Sequence, residues 1–82
     1  MINKKTKVEV KPVVECKMGN NPVTVFELYV DGESLATVKR KWLAVEIARA
    51  IEAGQIEKTG DVQSRFAQWA YLNARELFNR IR

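Results

Sequence analysis

The chain has no histidine and a single cysteine, Cys16, among its 82 residues. Without imidazole there is no Cys–His nucleophile pair and no Cys/His zinc site. With one thiol, no internal disulfide can form. Long apolar runs are also missing, so neither a secretory leader nor a membrane-spanning helix is expected. Neither the P-loop pattern nor Gly-x-Gly-x-x-Gly occurs, which removes the common phosphate-cradling loops. The expectation is a protein that is no enzyme, holds no cofactor or metal, takes no small-molecule substrate and works in a reducing, cytoplasmic setting.

What is present describes a small folded domain. Hydrophobic residues make up 46% of the chain and charged ones 29%, too apolar for a disordered tail. The length suits one domain, taken as residues 7–82, preceded by a flexible basic arm over 1–6 that contains Lys4 and Lys5. The net charge of +4 fits an ordinary solubility charge. It also fits attraction to nucleic acid or another acidic partner. Ten acids are interspersed among the bases, so the excess is not a run.

From Lys7 to Met18 the residues alternate. Val8, Val10, Pro12, Val14, Cys16 and Met18 point one way, and Lys7, Glu9, Lys11, Val13, Glu15 and Lys17 the other. A period of two marks a strand with one buried face. Pro12 cannot donate a ladder hydrogen bond, so this strand belongs at a sheet edge or carries a bulge. Gly19-Asn20-Asn21-Pro22 is a turn cluster. Val23 to Val30 and Leu35 to Lys39 read as two further strands around Asp31-Gly32, a hairpin signal. Phe26, Leu28, Val30, Ala36 and Val38 are placed on the inner face. A bulge near the hairpin would shift that pairing by one residue.

Two helices are expected to follow. The first runs from Arg40 or Lys41 to Ala53, with Leu43, Ala44, Ile47, Ala50 and Ile51 as its inner stripe and Gly54 as its stop. The second is read as one long helix from Asp61 to Arg82, capped by Thr59 or Asp61. Its apolar positions, Val62, Phe66, Trp69, Ala70, Leu77 and Ile81 among them, spread over an arc of about 200°, more than one packing partner requires. The fold class is therefore α+β, a three-stranded antiparallel meander with two helices packed on one face, β-β-β-α-α.

Chemistry-bearing clusters are few. Glu9, Glu15 and Glu27 share the outer sheet face but are interleaved with lysines, as in a solvated charged surface. Cys16 falls on the inner face, where a thiol is buried and inert. Two features stand out. Lys39-Arg40-Lys41, followed by Trp42, places cations in the first turn of a helix, against its macrodipole. Lys17 would join them at the same end of the sheet, and Trp42 is free to stack on a base or anchor a partner. The plainer account is that the bases are solvated and Trp42 covers the sheet end. The second feature is an apolar patch of Val13, Val25, Tyr29 and Leu35 on the outer sheet face, of the kind that marks an interface.

These features support two functions. One is a protein-binding module, either a homodimer or an inhibitor or adaptor that docks on a larger protein through the sheet patch. The alternative is a nucleic-acid-binding accessory domain that uses Lys17, Lys39, Arg40, Lys41 and Trp42. Three strands and then a helix over residues 7–53 resembles in architecture the DNA-binding domains of some integrases. The resemblance implies readout of a DNA groove through the sheet face. Here that face carries three glutamates, and the strands contain no arginine.

Overall fold

A computed structural model describes residues 7–16, 19 and 21–81. The expected arm over 1–6, Lys17 and Met18 lie outside them. Strands β1 (Val8–Glu15), β2 (Val23–Val30) and β3 (Glu33–Val38) form one antiparallel sheet in the order β1-β2-β3. Three helices follow: α1 (Lys41–Glu52), α2 (Val62–Asn73) and α3 (Arg75–Ile81). The α+β meander is as the residue pattern dictates, with one helix more.

The hairpin between β2 and β3 is a two-residue turn. Asp31 and Gly32 both take positive φ, 51° and 88°, the backbone that matches the twist of paired strands. Asp31 also ties the turn to β1. Its N–H donates to the Lys7 carbonyl at 2.9 Å, and its Oδ1 accepts from the Lys7 N–H at 3.2 Å. Pro12 lies in an edge strand, where a missing donor is tolerated. On the other edge, Gln63 Nε2 donates to the Thr37 carbonyl at 2.9 Å.

The register sets the faces. Val8 pairs with Val30, Val10 with Leu28 and Pro12 with Phe26; across the hairpin Leu28 pairs with Ala36 and Phe26 with Val38. This row meets α1. The core cluster joins Leu28, Val30 and Val38 to Ala44, Ile47, Ala48, Ala50 and Ile51 of α1 and to Val62, Phe66 and Ala70 of α2. Val8, Val10 and Phe26 pack against it, half-buried. Each fully buried Leu, Ile or Phe here contributes about 1.5–3 kcal/mol.

Helix α1 ends where Gly54 permits a left-handed turn, at φ 73°. The Gly54 N–H donates to the Ile51 carbonyl and the Gln55 N–H to the Ala50 carbonyl. That pair of bonds satisfies carbonyls the helix end would leave open.

Four expectations need correction. The last helix is broken at Ala74, whose backbone is extended at φ −148° and ψ 72°. A side chain takes a carbonyl that the break frees: Arg75 Nε donates to the Tyr71 carbonyl at 2.8 Å, while Asn73 Nδ2 donates to the Trp69 carbonyl one turn back at 3.0 Å. The break aims two narrow stripes separately where a straight rod would carry one wide arc. Second, Cys16 is exposed, not buried. Val14, on the same face, is 61% exposed. A 12-residue helix is about 18 Å long and an eight-residue strand about 27 Å. So α1 covers one end of the sheet and leaves the other end bare.

Third, Leu35 is not on the outer face. The pairing jumps from Leu28–Ala36 to Tyr29–Ser34, which leaves Leu35 as the extra residue of a bulge. It packs against the core cluster. Fourth, neither Thr59 nor Asp61 caps α2 with its side chain. The Thr59 hydroxyl instead accepts from the Asp61 N–H at 3.3 Å.

Candidate functional site

The outer sheet face carries a network that links Lys7, Glu9, Lys11, Tyr29 and Glu27. Lys7 and Lys11 both pair with Glu9, at 3.3 and 3.7 Å. Lys11 Nζ also lies 4.7 Å from the centre of the Tyr29 ring. The Tyr29 hydroxyl donates to Glu27 Oε2 at 2.7 Å. The hydrogen bond and charge of Lys7, with Lys11 behind it, hold the Glu9 carboxyl below its usual range. The hydrogen bond to Glu27 raises the Tyr29 phenol, because ionisation would set two negative charges side by side. Of the expected apolar patch, Val25 is buried, Val13 and Tyr29 are half-buried, and Leu35 belongs to the core side. No contiguous exposed apolar patch forms from these four.

The basic cluster is different. Arg40 is the N-cap of α1 and Lys41 its first residue, and both are exposed, as is Lys39. The helix start has no side-chain cap and no acid in its first turn. Cations thus stand at the positive end of the macrodipole, with no first-turn carboxylate to offset them. The C-terminal end of α3 comes to the same place. Arg40 Nη1 donates to the Arg80 carbonyl at 3.2 Å, and the Arg80 guanidinium lies 4.3 Å from the centre of the Trp42 ring. Trp42 is half-buried with a cation over it, so that face of the indole is occupied.

The distribution of counterions separates this end from the rest. Lys7, Lys11, Arg49, Lys58 and Arg65 each pair with a carboxylate. Among the described residues, Lys39, Arg40, Lys41 and Arg80 pair with none, and Arg75, which lies over the Tyr71 ring, is the other base without a carboxylate. In the sequence Arg80 reads only as a cation suited to the C-terminal end of the last helix; its place beside Arg40 and Trp42 has no local signal.

Between the end of β3 and the three helices is a hollow of about 380 Å³, lined by Thr37, Lys39, Arg40, Leu43, Gln63 and Ile81. Other hollows include a carboxylate in their walls: Asp31 and Glu33 beside Lys58, or Glu57 beside Ile56. Among the described residues that line this one are cations and no acid. Comparison of the chain with protein-family models, with curated proteins and with solved structures finds no match.

Proposed function

We propose that this protein is a non-enzymatic binding module that contacts the phosphate backbone of nucleic acid through Lys39, Arg40, Lys41 and Arg80. The supporting observation is that, among the described residues, these four cations gather at one end without a carboxylate partner, while most bases elsewhere are ion-paired. Cations at an uncapped helix start are unfavourable for the free protein. A polyanion offsets that cost by neutralising them, with release of its condensed counterions. The sheet face, where Glu9 and Glu27 are already engaged by their neighbours, is not part of this reading.

The test is fluorescence anisotropy of a labelled oligonucleotide across a salt series. Four phosphate contacts predict a slope of log K against log salt of about −3 to −4. Lys39→Gln and Lys41→Gln should each flatten that slope by about one. Salt-independent affinity, or no affinity at low salt, would sink the proposal.

A second reading, docking on another protein or on a second copy, is favoured by Leu72. It is 74% exposed on α2, beside a groove lined by Ile56 and Trp69. Light scattering during size exclusion tests the homodimer form: a constant monomer mass at high concentration rejects it.

A further inference from the structure

The hollow at the basic end specifies more than charge. Its rim carries Lys39 and Arg40, its floor the half-buried Leu43 and Ile81, and its side the amide of Gln63. At about 380 Å³ it falls in the range of roughly 300–1,000 Å³ typical of sites that enclose a small molecule. Arg40 spends one N–H on the Arg80 carbonyl and keeps further donors for an anion.

We propose that this hollow takes one unpaired nucleotide of a single strand, its phosphate held by Lys39 and Arg40 and its base laid against Leu43 and Ile81. The inference rests on the phosphate-binding reading and adds the class of nucleic acid. Three points argue for a single strand. A paired base keeps both faces stacked on its neighbours and cannot enter a concavity, whereas an unpaired base offers its apolar face. The sheet face, which would have to read a duplex groove, presents Glu9 and Glu27, each already engaged by neighbours. The hollow also joins an apolar floor to a cationic rim, the two chemistries a nucleotide carries at its two ends.

The experiment compares a labelled mixed-sequence 12-mer DNA strand with its own duplex at one salt concentration, on the full chain. The single strand should bind at least tenfold more tightly. Gln63→Glu sets a carboxylate in the wall at an exposed position and should abolish that preference. Gln63→Ala, which loses the bond to Thr37 without adding charge, should retain it within twofold. Circular dichroism checks that both variants fold. Equal or tighter duplex binding with a steep salt slope overturns the single-strand inference and leaves the phosphate reading standing. A preference that survives Gln63→Glu, or disappears in Gln63→Ala, overturns the assignment to this hollow. No binding of either form at low salt overturns both readings.

Discussion

The guanidinium of Arg80 sits over the indole of Trp42, 4.3 Å from the ring centre, and so closes the last helix onto the start of the first. The Arg80 carbonyl accepts from Arg40 in the same contact. One residue thus steadies α3, covers an aromatic ring and adds a cation to the basic end.

Arg80→Ala should lower stability by about 0.5–1 kcal/mol, the usual size of such a pair at an exposed site. In a Trp69→Phe background, Trp42 emission should move to the red and acrylamide should quench it more readily. Unchanged emission would mean that the ring is not covered in solution.

Lys41→Glu should stabilise the protein while weakening its binding. An acid in the first turn of α1 suits the dipole, which adds about 0.3–1 kcal/mol relative to a neutral residue. The same change removes one phosphate contact and repels another. Urea denaturation and anisotropy, measured on one preparation, should move in opposite directions. A variant that loses both would show that Lys41 serves the fold.

The pH dependence has a definite sign. The folded-state pKa of Glu9 is depressed by Lys7 and Lys11. Its contribution to stability is therefore present above the ordinary carboxylate range and is lost as pH falls through the lowered value. Lys7→Gln should return the Glu9 titration, followed by NMR, toward the usual range. Tyr29 behaves oppositely: the fold favours its protonated form, so its contribution holds below the ordinary phenol range and is lost as pH rises through the raised value. Glu27→Gln should bring the ultraviolet phenolate transition back down.

Phe66→Ala should cost about 3–5 kcal/mol, since Phe66 is the largest fully buried side chain. For a chain of 82 residues the total is about 4–12 kcal/mol. The variant should therefore unfold at much lower urea. Leu72→Gln, at an exposed site, should shift stability by no more than about 0.5 kcal/mol.

The strands, the hairpin turn and α1 were legible because each is written locally. Alternation, Asp31-Gly32 and the stop at Gly54 need no knowledge of distant residues. The errors arise where tertiary context decides. Val14 and Cys16 keep the alternation perfectly and are still exposed, because strand periodicity does not say how far a helix reaches. The bulge at Leu35 inverted one side chain without leaving a glycine or proline to announce it. Ala74, a strong helix former, interrupts a helix, and the side chain of Arg75 that supports the interruption looks ordinary in sequence. At the candidate site, Lys39, Arg40 and Lys41 were visible as a run. Arg80 and the hollow were not, because only the folded chain brings α3 to α1.

Pro12 in one border of the sheet and the Gln63 side chain on the backbone of the other interrupt the rows of free amides and carbonyls. Ribbon-by-ribbon growth into fibrils is thereby discouraged. A concentrated solution should stay clear.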